Sequence, residues 1–452
     1  MRTTAIRLYG RNDLRLESFE LPAITDDEIL AKVVSDSICM SSYKAAHQGP
    51  DHKRIPDDVH NNPVIIGHEF SGEIIEVGAN WKHKFHPGQK YSIQPAIYYP
   101  EGPVGILSAP GYSYPYIGGN ATYVIIPKDV LVQDCLLPYD GQGYYPASLA
   151  EPLSCVIGAM HANYHTRPGS YVHEMEIVQG GKMAILAGVG PMGLAAINYV
   201  INRRDRKPSL LVITDIDQSR LDRAATIFPV GWAKENGIEL VYMNTGNVSD
   251  PVGLLKSISG GEGYHDVFVF APVPSVIEQG DAILAPDGCL NFFAGPSDPK
   301  FSAKMNFYNV HYASTHIVGT SGGNNDDLVE ALDCMSKGLD PAGLITHIGG
   351  LNAVIETTLK LPEIQGGKKL IYTHKDLPLT AISDFAQLGA SDPFYAELAR
   401  ITDKTRGLWS VEAEEFLLEH APGIEKKKNA IRKDGIFTNQ TKQTYEEINI
   451  SL

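Results

Sequence analysis

Between residues 182 and 215 the chain reads as strand, glycine turn, helix and strand, an order that few folds accommodate. The apolar run Lys182 to Leu186 leads into Gly188-Val189-Gly190-Pro191-Met192-Gly193, a match to G-x-G-x-x-G. A lone match of this kind says little. This one follows a run of buried-strand length and opens a segment in which Leu194, Ile197 and Ile201 recur at amphipathic helical spacing. Asp215 ends the next apolar run, about 20 residues after the turn. A helix starting there presents unpaired N–H groups to an anion. Gly188 permits the tight turn, Gly190 lets backbone approach a pyrophosphate, and Gly193 lets helix pack close on strand.

The turn therefore predicts a dinucleotide site. A carboxylate at Asp215 bonds both hydroxyls of an adenine ribose and repels a 2′-phosphate, which favours NAD(H). Arg220, five residues on, is placed either to stack on the adenosine or to sit as an ordinary exposed helix charge, and it keeps NADP(H) open as the less favoured cofactor.

Strand-like and helix-like segments alternate onward from Lys182, as in ELVYM, DVFVFA and CLNFFAG, so an α/β doubly wound parallel sheet is expected. Before Pro146 the texture is of short β-strands: EILAKVVS, GEIIEVGA and ATYVIIP. After residue 374 the pattern turns helical. Asp392-Pro393 reads as an N-cap with proline at the first helical position, and Ser410 opens a second helix carrying Ala413, Phe416, Leu417 and His420 on one face. The last thirty residues, with Lys426-Lys427-Lys428, read as a solvated tail.

The charge balance excludes some partners. The 452 residues carry a formal net charge of −15, which repels nucleic acid and anionic bilayers, and no basic patch before residue 375 offsets it. No 18-residue apolar run or signal-type segment occurs. Five scattered cysteines fit a reducing compartment, so a cytoplasmic protein is expected, with no nucleic acid and no membrane among its partners.

A second constellation lies upstream. Cys39 sits in SICMSSYKAAHQG, Gly67-His68-Glu69 follows the strand PVII, and Glu151 sits in SLAEPLSCVIGAMH. One thiolate, one imidazole and one or two carboxylates make a Zn²⁺ site with a position open for catalysis. Each residue alone has a bland reading as core or strand end; their order ahead of the glycine turn is the signal.

SICMSS, GHEFSGEIIEVG, AEPLSCVIGA and LAGVGPMGLAAI together resemble the motifs of the zinc-dependent medium-chain dehydrogenase/reductase family, polyol dehydrogenase branch, over roughly residues 1 to 374. LITH and GGKKLIY resemble its closing strands. The resemblance implies a Rossmann NAD-binding domain (156–317) inserted in a GroES-like, mainly-β catalytic domain (1–155 and 318–374), followed by a helical C-terminal extension (375–452). It implies Cys39 and His68 as metal ligands, with Glu69 and Glu151 ligating directly or through water, unranked. Ser41 keeps the hydroxyl that passes the alcohol proton outward, Lys44 stands where a relay histidine is common, and His47 is expected to face solvent. No cysteine lies between Gly88 and Tyr123, so one catalytic zinc per subunit and no structural zinc is expected. The other four cysteines are expected in the core. Dimers or tetramers are the family habit.

The chemistry so implied is hydride transfer between NAD(H) and a secondary alcohol or ketone. The layout, extension included, is similar to the bacterial L-sorbose-1-phosphate reductase group, which implies a sugar or sugar-phosphate substrate. Segment 94–119 is expected to line the cleft, and Lys44, Lys53 and Arg54 are the basic residues nearest the first-ligand loop. A threonine-type dehydrogenase and a non-catalytic dinucleotide-binding protein are the competing readings.

Overall fold

A computed structural model describes residues 1–167 and 169–424. The Lys426-Lys427-Lys428 run and the rest of the expected tail from residue 425 lie outside them. The chain folds as α/β around two large sheets.

One sheet is six-stranded and parallel, in the order Glu239–Asn244, Leu210–Asp215, Lys182–Leu186, Tyr264–Val269, Leu284–Phe292, His316–Gly319. The first strand in sequence lies centrally, so the chain winds outward both ways from it. The crevice at the carboxyl end of Lys182–Leu186 is the place where such sheets bind ligands. Met183, Ile185, Leu211, Val212 and Ile213 are fully buried, because helices cover both faces.

The second sheet is built on Ile29–Ile38. That strand pairs antiparallel with Phe70–Val77, Tyr123–Ile126 and, from far along the chain, Lys368–Tyr372. Helix α1 (Met40–Gln48) follows it directly. Helix α2 (Tyr145–Ala162) then leads from this sheet toward the parallel one, and α3 (Pro191–Asn202) opens at the glycine turn. The spacing on α3 predicts an amphipathic helix, yet every residue from Gly193 to Ile201 is buried. The reason is α2, which packs on the face that would otherwise meet water, in one apolar cluster with α3.

That cluster also takes in Leu328, Ala331 and Leu344, and the strand His316–Gly319 runs across residue 317. The core around the parallel sheet thus continues past the expected boundary at 317. The chain regains the other sheet at Ile345–Gly350.

Residues 375–424 of the extension are folded on the body. Leu398, Ile401, Ala413 and Leu417 are buried with Trp409, whereas His420 is exposed. Trp409 Nε1 donates to the Tyr372 hydroxyl at 2.8 Å, and that hydroxyl donates to Glu414 Oε1 at 2.9 Å. Glu414 also accepts from the backbone N–H groups of Tyr144 at 2.6 Å and Tyr145 at 2.9 Å, so a side chain of the extension satisfies the first turn of α2. Burial nevertheless pushes its carboxyl up to about 7.

Because the folded value lies above the unfolded one of about 4.3, this group's favourable contribution is complete below about pH 4 and is lost as pH rises through 7. Glu414→Gln, neutral throughout, should therefore gain melting temperature relative to the parent between about pH 5.5 and pH 8. Thermal denaturation of both proteins across that range checks this, and a difference flat in pH contradicts it.

Candidate active site

Three strand ends converge where Ile29–Ile38 stops. Cys39 is the N-cap of α1, directly after that strand. Phe70 pairs with Asp36, which sets His68 and Glu69 beside the same end, and Ser37 N–H donates to Glu69 O at 3.0 Å. Gly67 ahead of them has φ +95°, and a Cβ there would stand 2.6 Å from Asp36 Oδ2 and from Asn120 Nδ2, so no larger residue fits. On the other side Lys369 pairs with Ile38, which brings in Lys368.

Ligand atoms of Cys39, His68 and Glu69 all lie within 4.8 Å of one another. Ser41 Oγ is 3.1 Å from Cys39 Sγ and 3.2 Å from His68 Nε2. The Tyr112 hydroxyl reaches the same nitrogen at 3.4 Å. Ser42 Oγ lies 3.4 Å from His68 Nδ1 and orients the ring from behind. A thiol, an imidazole and a carboxyl, largely withdrawn from water, form a donor set that suits Zn²⁺.

The two acids differ. Both Glu69 oxygens accept from Lys368 Nζ, Oε2 at 2.6 Å, and Oε2 also accepts from Ser37 Oγ. Burial alone would raise the Glu69 carboxyl, but Lys368 and His68 outweigh it and hold it below the ordinary value. Glu151, on α2, lies outside the tight cluster yet lines the same cleft. Among the described residues it forms no ion pair, though the charges of His68 and Lys368 act on it, and the Cys155 thiol donates to it at 3.6 Å. Burial pushes its carboxyl up to about 7, with His68 opposing and the Glu69 and Cys39 charges reinforcing. A buried acid so placed is what an added cation in this cleft would relieve.

The cleft holds about 610 Å³ and draws its walls from both sheets: Cys39, Ser41, His68 and Glu151 on one side, Met192 and Phe293 on the other. Gln94, Ala96 and Tyr112 of segment 94–119 line it, while Tyr98 and Tyr116 are exposed. His47 is exposed and stacks on Tyr43, away from the cleft, as expected of a solvent-facing residue. Lys44 lines the cleft and donates to Gly295 O at 2.6 Å. Cys135 and Cys289 are buried, but Cys155 is a wall residue rather than a core thiol, because α2 turns it to the cleft beside Glu151.

The glycine turn departs in detail from the sequence expectation. Its left-handed residue is Ala187, at φ 53°, not Gly188. Gly188 is needed for space, since a Cβ would meet Ile185 Cγ2 at 2.8 Å, and a Cβ on Gly193 would meet Gly188 O at 2.1 Å. Val189 is buried below the turn, Gly190 is the N-cap of α3, and Pro191 is its first residue. A Cβ on Gly190 would meet only the tip of Arg220, whose Nη2 lies 3.5 Å from Val189 O, so Arg220 arches over the turn. Asp215 Oδ1 accepts from the N–H groups of Ile216 and Asp217 at 2.8 and 3.1 Å.

Sequence reading missed three residues. Lys368 and Asp36 are fully sequestered in strands, and Asp36 is raised well above the carboxylate range by burial and by Glu69. The signal for Lys368 was present, as two lysines opening an otherwise apolar strand, GGKKLIY. Tyr112 sits in a tyrosine-rich loop with nothing to single it out.

Known proteins share this organisation. Residues 25–138 match the Alcohol dehydrogenase GroES-like domain family and residues 212–337 the Zinc-binding dehydrogenase family. The chain is 52% identical over 423 residues to L-sorbose 1-phosphate reductase of Klebsiella pneumoniae, covering 93% of this chain and 98% of that one. It is 53% identical over 418 residues to mannitol-1-phosphate 5-dehydrogenase of Aliivibrio fischeri, covering 92% and 97%. Among solved structures, 2R,3R-butanediol dehydrogenase from Bacillus subtilis superposes with a TM-score of 0.64 at 21% identity, over 82% of this chain and 99% of that one. With the paired sheets and the clustered Cys39, His68 and Glu69 already described, these likenesses place the chain in the zinc-dependent polyol dehydrogenase family.

Proposed function

We propose that this dehydrogenase interconverts a phosphorylated polyol and its ketose phosphate with NAD(H), using one zinc per subunit. The observation that carries the reading is the single cleft shared by Cys39, His68, Glu69 and Glu151 on one wall and Met192 of the glycine turn on the other. Two of the relatives above 50% identity are named for phosphorylated sugars and polyols, which supplies the substrate class. The catalytic lobe comprises residues 1–155 and the return strands from Ile345, with the NAD-binding lobe between and the extension behind. Its assembly as a homo-oligomer and its cytoplasmic location are part of the same reading. Among the described residues no helix is long and apolar enough to cross a membrane.

Cys39 and His68, with Glu69 or Glu151, would hold a zinc ion, which when bound would supply Lewis-acid polarisation of the substrate C–O bond. Ser41 Oγ, next to both Cys39 Sγ and His68 Nε2, takes the alcohol proton and passes it to cleft water. Lys44 donates to Gly295 O, and the serine and solvent carry this transfer. Burial raises the Glu151 carboxyl, and a cation bound beside it would draw it back toward the carboxylate form. Met192 and Phe293 give the nicotinamide an apolar wall that excludes water during hydride transfer. Asp215 holds the adenine ribose through its remaining oxygen, and Arg220 closes over the adenosine. The Asp215 carboxylate, held in place by the N–H groups of Ile216 and Asp217, would repel a 2′-phosphate, which supports NAD(H) over NADP(H).

Steady-state assay with NADH should show turnover of L-sorbose 1-phosphate well above that of L-sorbose, and none of threonine with NAD⁺. Absence of activity on either sugar sinks the reading. Cys39→Ala should lower bound zinc from about one per chain to a small fraction and cut turnover about 100-fold or more, by metal analysis and assay of the same preparation. Lys368→Met leaves Glu69 buried without its cation and should destabilise the protein by about 3 kcal/mol or more in chemical denaturation. Adding Glu69→Gln should recover part of that loss.

A further inference from the structure

The cleft has a basic end. His52, Lys53 and Arg54, which follow the short turn after α1, line the same cleft as Cys39 and Glu151. Tyr112 connects them to the metal-ligand cluster, its ring 4.9 Å from the His68 ring and 5.8 Å from the His52 ring, stacked on the latter at 10°. Two ring contacts thus separate His52 from His68, a span that an open-chain hexose phosphate covers.

Each of the three residues is arranged to donate. The Arg54 guanidinium carbon stands 6.0 Å from the Tyr112 centroid, and Nη1 donates to Leu107 O at 2.8 Å. That bond anchors the fork and leaves Nε–H and Nη2 without a protein acceptor among the described residues. His52 Nδ1 accepts from Arg54 N–H at 3.3 Å, which puts the ring proton on Nε2. Lys53 is exposed and pairs with no carboxylate among the described residues. Asp51, the acid that lines this end of the cleft among the described residues, is taken by Arg11. In a chain of net charge −15, cations left unpaired at one end of a cleft mark a local positive potential built for an anion.

We propose that Arg54, with Lys53 and His52, is the subsite that binds the substrate's phosphate and selects phosphorylated over free sugars. This rests on the phosphorylated-polyol reading above. Arg54 supplies the planar fork that suits phosphate, Lys53 adds a point charge, and His52 adds a neutral donor. The dinucleotide's own phosphates are served elsewhere, at the Gly190 end of α3. Lys44 spends one of its three N–H donors on Gly295 O, which holds it at the nearer wall, and it adds its charge to the cleft.

The test compares the zinc-loaded parent with Arg54→Gln, Arg54→Lys and Lys53→Gln, using L-sorbose 1-phosphate against L-sorbose and mannitol 1-phosphate against mannitol. Arg54→Gln should raise KM for each phosphorylated compound about tenfold or more with a much smaller change in kcat, and should lower the phosphorylated-to-free ratio of kcat/KM to match. Arg54→Lys should recover part of the ratio, and Lys53→Gln, at an exposed position, should lower it about threefold. Inorganic phosphate should compete with the sugar phosphate in the parent and lose that effect in Arg54→Gln. A ratio unchanged in Arg54→Gln and Lys53→Gln, whether both activities fall together or neither does, overturns the subsite. Failure of the parent on both sugar phosphates would overturn the substrate reading instead. Calorimetric titration with inorganic phosphate then decides the subsite separately: binding by the parent that Arg54→Gln abolishes supports it, and binding retained by Arg54→Gln, or absent from the parent, overturns it.

Discussion

Lys368 and Glu69 form a buried ion pair, with side chains 4% and 1% exposed, between segments almost 300 residues apart in the chain. Two charges withdrawn from water at this depth are tolerable only together, since either alone bears a desolvation cost its surroundings do not meet. The pair therefore holds the returning strand Lys368–Tyr372 against Ile29–Ile38 at one register. It also decides what Glu69 can do. With both oxygens held by a cation and one by Ser37, this carboxylate tunes the charge felt by Cys39 and His68 more readily than it offers a free lone pair. Glu151, on a different element and without such a partner, is left as the responsive acid.

The same strand carries the structure outward to the extension. Tyr372 lies four residues beyond Lys368, and its hydroxyl joins Trp409 to Glu414, which in turn caps α2, the helix bearing Glu151. Residues 375–424 thus reach the cleft through two helix ends and one strand, and none of these described residues lines it. A closing strand with a charged foot at Lys368 and an aromatic head at Tyr372 connects the Cys39, His68 and Glu69 cluster with Trp409 and Glu414 of the extension.

Much of this was legible beforehand where local rules govern. The strand, turn and helix around Gly188 to Gly193 follow from apolar run length and glycine placement, and the caps at Asp392 and Ser410 form as their residue types require. The local rules failed where packing overrode them. Helix α3 is buried all round because α2 covers it, and Cys155 faces the cleft because α2 is rotated by its packing. Ala187 rather than a glycine takes the left-handed position, because the strand ladder beside it fixes the backbone.

The sequence by itself pointed to the fold class and the glycine turn through residue types at local spacing, and it grouped Cys39, His68, Glu69 and Glu151 through their order along the chain and a family resemblance. Only the tertiary structure decided how the two glutamates differ, that Lys368 and Tyr112 belong to the site, and that His52, Lys53 and Arg54 share its cleft. Those are statements about charge and distance between distant segments. Burial and Coulomb interaction set them, and neither has a value until the sheets have paired.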